Sequence, residues 1–212
     1  MLVELDAIQV LGLLALVTII PIYQGLRNWR ENGLRRQAAM ANGWRFTERG
    51  WRSLLRSTYS MAGTTPNGTV WEFSRVQKGR QYYFVWFSRN ARLPYGTLVI
   101  LPKGVAVLPE DSGRLNLRTM TVGGDAWRAA YKLLATHDML GQRYFGREIE
   151  LALSDWPRWP EPGAMEEVVW RRDGLSIRVR HKNDWLTLDR TILLGTALVE
   201  NAGRPQEASS CS

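Results

Sequence analysis

The sequence predicts an α+β protein: an N-terminal single transmembrane helix followed by an antiparallel-sheet cytosolic domain with two packed helices. Three observations predict it. Positions 7–26 carry no charged residue. Two glycine-bearing turns, Lys78-Gly79 and Asp173-Gly174, each separate two segments rich in aromatic and β-branched residues, as a hairpin requires. The remaining strand-like segments come in runs without βαβ alternation, which points away from a parallel sheet. With 212 residues, 45% of them hydrophobic, the chain is long enough to bury a core.

The elements follow in chain order. Residues 1–6 form a short external N-terminus carrying Glu4 and Asp6. A helix over 7–23 rises about 25 Å, and extension to 26 takes it across a bilayer. The acidic start and the lack of an A-x-A-like site favour an uncleaved anchor over a signal peptide. Arg27, Arg30, Arg35 and Arg36 follow the run, so the positive-inside rule puts the C-terminal side in the cytoplasm. Tyr23 and Trp29, with Arg27 and Arg30, sit where interfacial side chains hold a helix at headgroup level. Residues 27–43 read as a basic juxtamembrane helix and linker closed by Gly43.

The soluble domain spans 44–203, with a possible subdivision at 155–164. Trp51, Leu54 and Leu55 fall at helical spacing opposite Arg49, Arg52 and Arg56, a basic face suited to anionic lipid. In the first hairpin the Lys78-Gly79 turn aligns Trp71 with Trp86 and Phe73 with Phe84. In the second, Asp173-Gly174 points Val168, Trp170, Leu175, Ile177 and Val179 inward, with Trp170 beside Ile177 and Glu167 opposite Arg180. Further strands are expected at 97–101, 105–108, 115–122 and 147–153, the last because Ile149, Leu151 and Leu153 alternate with Glu148 and Glu150. Asp125 is expected to cap a helix over 126–135, and Asp184 a helix over 185–201 ending at Gly203. Residues 204–212 read as a disordered tail. The segment Asp155-Trp156-Pro157-Arg158-Trp159-Pro160-Glu161-Pro162-Gly163 is a loop. Trp156 and Trp159 either pin it to the domain or, with Arg158, present a partner-binding surface.

Composition limits the chemistry. One cysteine, Cys211, and two histidines, His137 and His181, leave little for thiol, metal or Ser-His chemistry. No phosphate-loop signature occurs, and at the candidate anion site Gly123-Gly124-Asp125 a capping carboxylate already occupies the free N–H donors. No catalytic residue, cofactor or metal is therefore expected, and Asn67-Gly68-Thr69 is a chance sequon in a cytosolic domain. The net charge of +8 comes from 28 cations, all but four of them Arg, spread along the chain rather than clustered. That pattern suits a protein held near an anionic leaflet better than a nucleic-acid binder.

The lead-in Ala39-Met40-Ala41-Asn42-Gly43-Trp44-Arg45-Phe46 and the later Leu98-Val99-Ile100-Leu101-Pro102 resemble segments of uncharacterised bacterial single-pass membrane proteins with a β-rich cytosolic domain. The resemblance covers most of the chain and implies an anchor, a basic linker and that domain, without any known activity. The expectation is thus a membrane-anchored, non-enzymatic accessory or adaptor protein of the cell (inner or plasma) membrane, a peripheral subunit of a membrane protein complex. Its expected partners are the bilayer and other membrane-complex proteins, and neither nucleic acid nor a small-molecule substrate. The alternative is a membrane-tethered regulator that binds anionic lipid or nucleic acid through Arg49, Arg52 and Arg56.

Overall fold

The structure, a computed structural model, describes residues 7–48, 59–78, 81–105, 116–180 and 185–203. The expectations placed on 1–6, Arg49, Arg52, Arg56, 106–108, His181, Asp184, Cys211 and the tail lie outside these residues. The chain divides into two compact units, Met1–Met61 and Ala62–Ser212, with strand β2 (Tyr59–Thr64) crossing the division.

In the first unit, α1 (Ala7–Ala41) runs 35 residues without a break, through Pro21. It fuses the predicted anchor and the predicted juxtamembrane helix into one element. Among the described residues no helix is long and apolar enough to cross a membrane. The side chains at 7–11 and 13, where the uncharged run begins, lie outside the described residues. The helix ends at the expected glycine: Gly43 has φ +70°, and the Trp44 N–H donates to the Ala39 carbonyl at 2.8 Å. Strand β1 (Arg45–Glu48) follows. Arg36 pairs with Glu48 at 3.4 Å and lies over the Phe46 ring, while Phe46 stacks on Tyr59 with centroids 5.7 Å apart.

In the second unit the strands β3 (Val70–Lys78), β4 (Gln81–Ser88), β5 (Leu98–Pro102), β6 (Arg118–Met120), β7 (Tyr131–Ala135), β8 (Met165–Arg171) and β9 (Gly174–Arg180) lie in the order β3-β4-β9-β8-β5-β7-β6. The pairs among them are all antiparallel. One face carries Phe73, Trp86, Ile177, Val168, Ile100 and Leu133 in a continuous row of cross-strand partners, each fully buried. Helix α5 (Trp185–Gly203) packs on the β4 and β9 end of this face, and α3 (Asp138–Tyr144) on β6 and β7. A smaller cluster of Val99, Leu101, Leu134 and Val169 fills part of the other face.

Several expectations are corrected. Both hairpins form with the predicted inward faces but with registers displaced by two residues. Phe73 pairs with Trp86 rather than Phe84, although the Trp71–Trp86 and Phe73–Phe84 rings still meet diagonally at 6.4 and 5.0 Å. In the second hairpin Glu167 pairs with Arg178 rather than Arg180, and Trp170 with Leu175 rather than Ile177. Arg171 pairs with Gly174, so the second loop is Arg172-Asp173, and Gly174, at φ +146°, begins β9. A two-residue register change returns every side chain to its original face, so the core survives the error. The Glu167–Arg178 ion pair closes at 2.9 Å.

The segment expected as a strand over 147–153 is helix α4 (Arg147–Ser154). Ile149 and Leu153 are buried at i and i+4 while Leu151 is 58% exposed, and Glu, Leu and Ala favour the helix. The helix expected over 126–135 stops early: α2 spans Asp125–Ala130 with Gly124 as its N-cap residue, and the chain straightens into β7. Leu133 and Ala135 then fill places between β5 and β6 that a helix would leave empty. The strand expected over 115–122 is only Arg118–Met120, and Val105 lies outside any strand. Helix α3 has no counterpart in the expectations.

Candidate functional site

The second unit holds a cavity of about 280 Å³ where α2, α4, the start of β7 and the 155–163 loop converge. Its walls are Trp127, Tyr131, Trp156 and Trp159, completed by Ala126, Ala130, Leu153 and Met165. Lys103, Glu150 and Arg158 supply its charges.

Local structure explains each placement. The α2 to β7 junction puts Trp127 and Tyr131 together, with centroids 5.8 Å apart, and Phe145 meets Trp127 edge-on at 4.5 Å. Gly123, at φ +74°, lets the indole lie against the backbone, since a Cβ there would come within 3.1 Å of Trp127 Cε3. Tyr131 donates its hydroxyl to the Leu153 carbonyl at 3.2 Å. The loop is tied down along its length. Trp156 is buried, the Arg180 guanidinium lies 4.9 Å from the Trp159 ring, and Arg180 Nη1 donates to the Pro160 carbonyl at 2.6 Å. A Cβ on Gly104 would meet Trp159 Cδ1 at 3.1 Å, so β5 and its turn support the indole from the other side.

Burial drives the Tyr131 phenol up to about 12, and the positive charge of Arg158 pulls weakly the other way. The stability that this neutral phenol contributes is intact below the ordinary value of 10 and is lost as pH rises through the folded value. The difference in phenolate absorbance between the parent chain and Tyr131→Phe is therefore expected to centre near pH 12. A difference centred at the ordinary value would show the hydroxyl to be solvated.

The structure brings the predicted Trp156, Arg158 and Trp159 into one site and adds Trp127, Tyr131, Lys103 and Glu150 to them. Periodicity assigned Trp127 and Tyr131 only to a core stripe, and nothing in the sequence linked Lys103 to the loop. The predicted interface residues lie elsewhere, on α1. Tyr23 and Trp29 are 66% and 67% exposed, and Arg27 pairs with Glu31 at 3.0 Å, which also holds Arg35 at 3.2 Å. Arg30 is exposed. At the Gly123-Gly124 turn the free N–H of Gly124 donates to Glu150 at 2.9 Å, so a carboxylate does occupy it, though not that of Asp125. Asp125 pairs with Arg128 instead. His137 packs edge-on to Tyr95, away from the cavity. Among the described residues no three His, Cys, Asp or Glu side chains gather as a metal site would need.

Fold and site together define an α+β domain with a broad antiparallel sheet and an aromatic-walled pocket at one end of it. A solved structure with a similar fold is that of TtfA, the mycobacterial trehalose monomycolate transport factor A. It matches with a TM-score of 0.54 at 11% identity, over 83% of this chain and 98% of that one. No protein-family model matches the chain, and no curated protein matches it in sequence.

Proposed function

We propose that this protein is a non-enzymatic accessory factor of a membrane protein complex, anchored by residues 7–26 with its α+β domain on the cytoplasmic side. The observation that carries the reading is the uncharged run of the sequence at the start of α1, whose side chains at 7–11 and 13 lie outside the described residues, among which no helix is long and apolar enough to cross a membrane. Twenty uncharged positions, 7–26, lie in one helix with the basic stretch that follows them. Twenty residues rise about 30 Å, the thickness of a hydrocarbon core. Arg27, Arg30, Arg35 and Arg36 beyond it oppose translocation of that end. A fold like that of a protein described as a transport factor supports an accessory role. Tethering raises the local concentration of a contact surface without demanding high intrinsic affinity.

The test is fractionation and capture with the full chain. The protein is expected to resist alkaline extraction from membranes, and deletion of residues 1–26 is expected to release it. Protease added to intact cells should spare the domain, and gentle solubilisation should bring down other membrane proteins with it. Digestion of the domain in intact cells would overturn the orientation, and alkaline release of the full chain would overturn the anchor.

A further inference from the structure

The cavity beside the 155–163 loop has a chemistry that membrane tethering does not use. We propose that it binds a small amphiphilic monocarboxylate, with the apolar body among Trp156, Trp159 and Tyr131 and the carboxylate on Arg158. The inference goes beyond the accessory role and does not depend on it.

Size comes first. At about 30 Å³ per non-hydrogen atom, the share of a water molecule in the liquid, a cavity of 280 Å³ holds about nine such atoms. That admits a short acyl chain or a single aryl group and excludes a whole lipid. The walls are three indoles, a phenol and small aliphatic side chains, the surface that retains an apolar body.

The polar groups decide the head. Tyr131 donates to Leu153, Ser154 to the Leu151 carbonyl, Lys103 Nζ to the Arg128 carbonyl, and Glu150 Oε1 accepts from Gly124. Arg158 lines the same cavity, and among the described residues its guanidinium has no hydrogen-bond or ion-pair partner. Lys103 keeps its charge and two further N–H groups, and Trp127 Nε1 is buried without a partner, but Arg158 is the charged group of the lining whose fork is wholly open, a planar cation whose natural counterpart is a carboxylate bound through two parallel hydrogen bonds. Tyr131 stays neutral at ordinary pH, so its hydroxyl adds no negative charge against an anion. A quaternary ammonium would face Arg158 and Lys103, and one aromatic wall, Trp159, already holds the Arg180 cation.

The test uses the full chain in phosphatidylcholine nanodiscs, titrated with octanoate and with 1-octanol, with empty discs subtracted. Octanoate is expected to bind about tenfold more tightly than octanol, because only the acid can form the charge-assisted pair. Arg158→Gln, at an exposed position, should erase that preference, and Arg158→Lys should restore part of it. Trp159→Phe should weaken both ligands together. Equal binding of acid and alcohol, a preference that survives Arg158→Gln, or no saturable binding would each overturn the proposal. Repeating the titration in discs containing phosphatidylglycerol separates a free acid from a bilayer headgroup. A preference over octanol that persists there supports the free acid, and its loss gives Arg158 to the headgroup and overturns it.

Discussion

Trp170→Ala is expected to remove about 3–5 kcal/mol of stability, the range for truncating a large buried aromatic side chain. Trp170 is 1% exposed and stands near the middle of the sheet, between Leu175 on β9 and Leu98 on β5. Its ring packs against Tyr144 of α3 at 5.3 Å, and its Nε1 donates to the Ala91 carbonyl at 2.9 Å. Truncation therefore opens a cavity, frees a helix contact and strands a buried acceptor at once. Trp170→Phe separates these losses. It keeps most of the ring contact and leaves Ala91 unpaired, at a cost of about 1–3 kcal/mol. Against a typical total of about 5–15 kcal/mol, the alanine variant sits near the threshold of folding. Urea unfolding of the three chains checks the order, and equal midpoints for alanine and phenylalanine would mean that the hydrogen bond carries all of the effect.

The inward face of the sheet was legible because alternation is a local signal. Val168, Trp170, Leu175, Ile177 and Val179 could be read off two segments, and all five are buried. Register was not, because it depends on which two residues the turn consumes. The Asp173-Gly174 pair implies a loop glycine, whereas Gly174 is the first residue of β9. A Cβ there would lie 2.5 Å from the Ser88 carbonyl oxygen, so the glycine serves close strand packing as well as the turn. The strand expected over 147–153 gives way to helix α4 for a related reason. Ile149 and Leu153 satisfy period two and i, i+4 alike, and the helix-favouring Glu, Leu and Ala around them decide for the longer period.

The pocket was half legible. Trp156 and Trp159 stand out in a stretch of prolines, and the tight packing of that loop agrees with its predicted pinning. Trp127 and Tyr131 were hidden by the α2 to β7 switch. Local periodicity favours a helix through Leu134, but the pairing of Tyr131–Ala135 with both β5 and β6 overrides it. Lys103 reaches the site only because β5 pairs with β7, a long-range fact that no window of sequence contains. The cavity itself is a product of these tertiary choices.

The second large effect is expected where α5 crosses β4. Gly195 lies against the Trp86 indole, and a Cβ there would fall 2.6 Å from Cδ2 and 2.8 Å from Cζ2. Trp86 is fully buried and its Nε1 has no hydrogen-bond partner, so the ring stabilises by packing alone. Gly195→Leu must push the helix or the ring aside, and overpacking of this kind costs about 1–3 kcal/mol, occasionally more. Leucine's helix propensity, better than glycine's by somewhat under about 1 kcal/mol, offsets only part of that. Trp86→Ala alone is expected to cost about 3–5 kcal/mol through the cavity it leaves. The two faults are complementary in shape, because the added leucine points at the space the indole vacates. The double variant should therefore be more stable than the sum of the single losses predicts, by about 0.5–3 kcal/mol. A four-chain cycle of thermal or urea unfolding measures that term. Additivity within about 0.5 kcal/mol would show the two sites to be independent, and would mean that α5 relieves the Gly195 clash by tilting away from β4 rather than by displacing the ring.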